Sequence, residues 1–223
     1  MAFDNFKRKA PDEAFVSRVA AYVSKILDQR KADGPPTPGV TVLDIGCGMG
    51  QELFGVMDIF SSKTEKDGNE KGGVEVQYIA LDMDLSMNLE AMEKFTGHGG
   101  IKTVDHTLPA ALPFPDGSVD VIFARLSLHY FTDDVLRNQI FPDLRRILHP
   151  RDGALVFVVK SRENHTKTVT QKVLYGRDAW EQIVKDSGFS ITKVETPFSA
   201  ETQEEVKRWE ESGAPWAFEV VVQ

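Results

Sequence analysis

Between Val40 and Gln51 the chain runs Val-Thr-Val-Leu-Asp-Ile-Gly-Cys-Gly-Met-Gly-Gln. A β-branched apolar run meets an acid and then glycines at the alternate positions 46, 48 and 50. The spacing predicts a buried strand over 40–45 that ends in a tight turn. Glycine permits left-handed backbone and lets another molecule touch the main chain. The acid precedes the glycines, and the spacing is Gly-x-Gly-x-Gly. A dinucleotide fingerprint is instead Gly-x-Gly-x-x-Gly, which reserves a helix N-terminus for a pyrophosphate. The turn therefore points to a nucleoside ligand without phosphates.

The pattern on either side of the turn alternates between helix and strand. Phe15, Val19, Tyr22 or Val23, and Ile26 recur at helical spacing and predict a helix over 12–31, led by Pro11 and the acids Asp12 and Glu13. Gly34-Pro-Pro-Thr-Pro-Gly39 breaks it. After the first strand, helices are expected over 51–60, 85–95 and 135–148, the last interrupted at Pro142, with strands over 76–81, 101–104, 120–124 and 154–159. Asp178-Ala-Trp-Glu181 and Thr202-Gln-Glu-Glu205 read as capping boxes opening two further helices, the first closing at Gly188. Strands are expected over 190–194 and 216–222, where Phe218, Val220 and Val222 alternate on one face. Such alternation implies an α/β fold with a mostly parallel, doubly wound sheet. The polar run Ser61–Gly73 reads as a peripheral solvated loop.

A chain of 223 residues suits one domain with a small appendage: an N-terminal helical cap or lid over 1–36 and the main domain over 37–223. One cysteine excludes a disulfide framework, and no Cys/His set suits zinc, so no metal is expected. The net charge of −8 argues against nucleic acid and favours a small-molecule partner. No apolar run approaches the roughly 20 residues of a membrane helix, and no signal peptide is evident, so a cytoplasmic protein, monomer or homodimer, is expected.

Asp44 suits a cationic amine, and Cys47, inside the turn, reads as a small packing residue. Asp82 and Asp84, with Met83 between them, offer a carboxylate for two ribose hydroxyls. Gly50 and Asp84 are 34 residues apart, and the polar run accounts for thirteen of them, leaving the spacing of about 20 that such an acid takes. Asp84 is preferred and Asp82 is the alternative, the other acid being a helix N-cap.

Taken together, these motifs resemble the class I S-adenosylmethionine-dependent methyltransferases. Asp44-x-Gly-x-Gly-x-Gly50 and Asp84-Leu-Ser-Met-Asn-Leu match the family's glycine motif and the acid that follows it. Leu112-Pro-Phe-Pro-Asp-Gly-Ser-Val-Asp120, Leu126-Ser-Leu-His-Tyr-Phe131 and Arg146-Ile-Leu-His-Pro-Arg-Asp-Gly153 resemble its later segments, the last with one residue inserted and one glycine missing. The resemblance implies a Rossmann-like sheet of seven strands with an antiparallel last strand. It also implies S-adenosylmethionine as cofactor and S-adenosylhomocysteine as product. Asp105-His106 then corresponds to the residues at the adenine edge, and Ala124-Arg125-Leu126 lies near the methionine moiety and the acceptor. Arg125 suits a carboxylate on substrate or cofactor, or else a salt bridge to Asp133 or Asp134.

Methyl transfer is an in-line attack that depends on alignment, and a base is needed only where the acceptor must lose a proton. His129 and Tyr130 are the candidates, with a packing role the alternative for His129. His98, His149 and His165 read as surface residues. No Asp/Asn-Pro-Pro-Tyr/Phe follows the fourth strand, which disfavours exocyclic amines of nucleic-acid bases as acceptors. The remaining alternatives are a non-catalytic S-adenosylmethionine-binding subunit and an NAD-dependent oxidoreductase, the latter at odds with the glycine spacing.

Overall fold

The computed structural model describes residues 10–33, 39–66, 76–87, 89–162, 174–195, 207, 210–213, 215 and 217–222. Its α/β architecture contains one seven-stranded sheet with the order β3-β2-β1-β4-β5-β7-β6. The chain divides into two compact units, Met1–Thr107 and Leu108–Gln223.

In the first unit, α1 (Glu13–Asp33) packs on α2 (Gln51–Lys66) and on β1 (Val40–Ile45). The Asp12 carboxylate accepts the Phe15 N–H at 3.2 Å, so Asp12 caps α1 from outside its first turn. Phe15, Val19, Val23 and Ile26 are buried, as their spacing requires. β1 pairs in parallel with β2 (Val76–Asp82), and β2 with β3 (Ile101–Asp105). A short 3-10 turn, Leu85–Met87, precedes α3 (Leu89–His98). α2 continues to Lys66, beyond the expected end at Phe60 and into the polar run; residues 67–75 lie outside the described set.

In the second unit, β4 (Val121–Arg125) pairs in parallel with β5 (Ala154–Lys160), whose seven residues are all buried. β7 (Ala217–Val222) is antiparallel to β5 and to β6 (Ile191–Glu195). Phe218, Val220 and Val222 alternate on one face of β7, yet all six of its residues are buried, so both faces of the strand are covered. α4 (Asp133–Val135) leads through a π-helical turn, Leu136–Ile140, into α5 (Phe141–Ile147). The interruption expected at Pro142 thus takes the form of a widened turn just before it, since Pro142 has no N–H to donate back into the helix.

α6 (Arg177–Asp186) begins one residue before the expected capping box, and its N-cap is Gly176, with no side-chain cap. Asp178 serves as an acid in the first turn, and the helix closes at Gly188, as expected. The second expected capping box, at Thr202, lies outside the described residues. Phe141, Phe157, Phe189, Trp180 and Tyr175 form a continuous aromatic cluster in this unit. Among the described residues, no helix is long and apolar enough to cross a membrane.

Arg146, near the end of α5, holds the Leu-Pro-Phe segment. Its guanidinium donates to the Leu112 and Phe114 carbonyls at 3.0 and 2.8 Å, and to Asp116 and Asp143 at 2.8 and 2.7 Å. A planar fork can serve four acceptors at once, which an ammonium cannot. Arg146→Met is expected to cost about 2–4 kcal/mol in urea-unfolding stability, with Arg146→Lys recovering only part. A loss below about 0.5 kcal/mol, the range of an ordinary surface substitution, would show that the segment is held otherwise.

Candidate functional site

The first unit carries the glycine turn at the carboxyl ends of its strands. The N–H groups of Gly46 and Cys47 both donate to the Leu81 carbonyl, at 2.8 and 3.2 Å. Gly46, Gly48 and Gly50 have φ of 72°, 52° and 75°, a region that side chains disfavour. A Cβ on Gly50 would lie 2.4 Å from the Phe95 ring, so that glycine is required by packing. A Cβ on Gly48 would meet nothing within 4 Å. The main chain at Gly48 therefore presents open space, which fits a ligand that lies against the backbone.

Asp82, the last residue of β2, accepts the Gly48 N–H and the Met83 N–H, each at 2.7 Å, through its two different oxygens. Burial pushes the Asp82 carboxyl above its ordinary range; the two amides pull it back, and the Asp84 charge adds to the rise. Asp84 is exposed at φ 55°, two residues beyond the strand, and Met83 is 46% exposed. Asp105 ends β3 directly opposite Asp82. It accepts the Ser86 N–H at 2.7 Å, and hydrogen bonds from the Ser86 hydroxyl and N–H hold its carboxyl below the usual range. The His106 N–H donates to the Asp82 carbonyl at 3.0 Å. The structure thus brings Asp82, Asp105 and His106 together beside the glycine turn.

Asp44 is 3% exposed. Burial, reinforced by the Glu52 and Asp82 carboxylates, pushes its carboxyl well above 3.8. Cys47 is buried, and burial together with the neighbouring Asp44 and Asp82 raises its thiol well above the ordinary value. A thiol so raised is a packing group rather than a nucleophile. The motif reading misses Glu52 and Ser86. Glu52 looks like an ordinary acid in the first turn of a helix, and Ser86 is visible only as part of the Asp-Leu-Ser run.

The second unit carries the remaining expected residues. Ala124 and Arg125 are the last two residues of β4 rather than residues after it. Leu126 follows at φ 59°, and its N–H donates to the Val158 carbonyl at 2.8 Å. Leu128–Tyr130 forms a 3-10 turn packed on β5. His129 is fully buried, with both ring nitrogens shielded from solvent, and its ring lies 4.7 Å from that of Tyr130. Tyr130 is 40% exposed. Asp133 is held by Arg137, and Asp134 accepts from Asn138 at 2.8 Å.

His98 is exposed and stacks on Phe54 at 4.1 Å, whereas His149 is half-buried and its Nδ1 accepts the Asp152 N–H at 3.3 Å. His165 lies outside the described residues. Among the described residues, no three metal-ligating side chains gather as a site.

The raised Asp44 carboxyl carries a stability consequence. Its favourable contribution is complete below the ordinary value of 3.8 and is lost as pH rises through the raised value. Above pH 3.8 the unfolded chain ionises Asp44 more readily than the folded one does, which opposes folding, so Asp44→Asn is expected to raise Tm. Each kcal/mol relieved is worth about 2–4 °C in a chain of this size. A thermal melt at pH 7 in which the variant unfolds below the wild type would contradict this account of Asp44.

Residues 42–151, about half of the chain, match the model of a methyltransferase-domain family. The chain is 35% identical over 98 residues to nocamycin O-methyltransferase from Saccharothrix syringae, a match covering 44% of this chain and 31% of that protein. The matched region thus spans about a third of that relative's length. Among solved structures it is similar to a SAM-dependent methyltransferase from Aquifex aeolicus, with a TM-score of 0.59 and 19% identity over 95% of this chain and 97% of that one. A geranyl diphosphate methyltransferase in complex with GPP and sinefungin gives a TM-score of 0.59 and 16% identity, over 91% and 76% of the two chains. With the strand order, the glycine turn and its acid in place, the chain belongs to the class I S-adenosylmethionine-dependent methyltransferases.

Proposed function

We propose that the protein transfers a methyl group from S-adenosylmethionine to a small-molecule acceptor. The observation that carries this reading is the open main chain at Gly48, with the Asp82 carboxylate bonded to its N–H. When bound, S-adenosylmethionine supplies a methyl group activated by a sulfonium. The chain's own residues would bind and align it. The turn from Gly46 to Gly50, with Cys47 packed beneath, would lie along the adenosyl moiety. Asp82 would take the ribose hydroxyls, since it already sits at the turn and each carboxylate oxygen has a second lone pair to offer. This places Asp82 ahead of Asp84, the acid that spacing prefers. Asp105 and His106 would border the adenine, and Met83 would lie over it.

Asp44 would face the donor's cationic groups, which would favour its carboxylate form against the burial that disfavours it. Ala124 and Arg125 would border the methionine moiety and acceptor in the second unit. Of the two base candidates, Tyr130 is the exposed one, and the burial of His129 favours packing. The small-molecule acceptor is supported by the net charge of −8 and by the O-methyltransferase relative.

Two measurements test this reading. In calorimetric titration with S-adenosylhomocysteine, Asp82→Asn is expected to weaken binding by about 1–3 kcal/mol and Asp84→Asn by less. The reverse order would return the ribose to Asp84. In a methyl-transfer assay against a metabolite panel, read by S-adenosylhomocysteine release, at least one small acceptor is expected to be turned over. Release only with protein or nucleic-acid substrates would reject the small-molecule assignment.

A further inference from the structure

Two carboxylates stand in register at the carboxyl ends of β2 and β3, Asp82 opposite Asp105. Each ties down the turn that follows the neighbouring strand. Asp82 takes the amide of Gly48, in the turn after β1. Asp105 takes the amide of Ser86, in the turn after β2, at 2.7 Å. The device is the same, displaced by one strand along the order β3-β2-β1.

The stretch that Asp105 holds needs holding. Asp84 has φ 55°, a left-handed conformation that side chains disfavour. Met83 is 46% exposed, and Asp84 and Ser86 are exposed as well. Leu85 is buried between them. Such a backbone persists where its surroundings fix it. Here Asp82 fixes the Met83 amide at one end, and Asp105 fixes Ser86 at the other.

An acid at the end of β3 has an alternative use, which is to accept a hydrogen bond from the exocyclic amine of an adenine beside it. Its existing hydrogen bonds argue against that use. The Ser86 hydroxyl, the Ser86 N–H and the Leu85 N–H each favour the charged form of Asp105. A carboxylate has about four acceptor sites, and this one turn occupies most of them.

We propose that Asp105 is a positioning residue for the methyl donor: through Ser86 it holds the Leu85–Met87 turn, and so presents Met83 and Asp84 to the nucleoside without itself reading the base. The inference rests on the methyl-transfer reading above. It makes Ser86 a partner in donor binding and gives the Asp105 carboxylate no part in selecting adenine.

The test compares calorimetric affinities of the full chain for S-adenosylhomocysteine and for its analogue with purine in place of adenine, which lacks the amine. Asp105→Ala is expected to weaken both by the same factor, about three- to tenfold, the range of one exchanged hydrogen bond or two. Ser86→Ala, which keeps its N–H, is expected to weaken both by about two- to threefold. Asp105→Asn, whose amide oxygen still accepts from Ser86, is expected to recover part of the loss for both ligands. In the double variant Asp105→Ala/Ser86→Ala, the serine change is expected to add nothing, as for two residues of one interaction. A loss in Asp105→Ala confined to S-adenosylhomocysteine overturns the proposal, because the carboxylate would then be reading the amine. A lower Tm with both affinities unchanged also overturns it, since Asp105 would then serve the fold alone. So does a full Ser86→Ala effect on top of Asp105→Ala. If Asp105→Ala does not fold, an equal loss for both ligands in Ser86→Ala supports the proposal and no loss overturns it. Wild-type protein that binds neither ligand would instead reject the methyl-transfer reading.

Discussion

The carboxylate of Asp82 links the end of β2 to the glycine turn that follows β1. Its two oxygens take the amides of Gly48 and Met83, so one side chain shapes the turn and the exit from the strand together. The Leu81 carbonyl, one residue earlier, takes the amides of Gly46 and Cys47. The turn is therefore an extension of the β1–β2 pairing rather than a loose loop. Its openness at Gly48 and its closure at Gly50, where Phe95 leaves no room for a side chain, follow from that anchoring.

The same region concentrates negative charge. Burial, with the Glu52 and Asp82 carboxylates adding to it, raises the proton affinity of Asp44. A domain selected for stability alone would neutralise such a group. Proteins retain strain of this kind where a ligand relieves it, and a cationic donor is a ligand of the right sign. With Asp44 in the donor-facing role proposed for it, stability and binding would oppose each other there, since Asp44→Asn would help the empty fold and weaken the occupied one.

The elements most legible in the sequence are those whose burial is local. β1 and β5 show themselves as apolar runs because both faces are covered, and α1 shows itself through Phe15, Val19 and Ile26. What escapes the sequence depends on partners distant along the chain. Asp82 and Asp84 satisfy the same spacing, and only the position of Gly48 in space separates them. β7 shows Phe218, Val220 and Val222 alternating on one face, but its place between β5 and β6 is a matter of topology. Asp105 ends a short strand and gives no sign of Ser86 until the pairing of β3 with β2 sets it beside the turn that follows β2. The π-helical turn before Pro142 is hidden for another reason: proline announces an interruption but not the form it takes.

Arg146 joins Leu112, Phe114 and Asp116 to α5 across some thirty residues of chain. The Leu112 amide is itself bonded to Asp143, and the Gly117 amide to the Arg146 carbonyl. The segment around Leu112 therefore has little reason to hold its shape when α5 is unwound. The two should open as one cooperative unit, and the amide protons of Leu112 and Gly117 should exchange with solvent at the pace of the helix rather than at the pace of a surface loop.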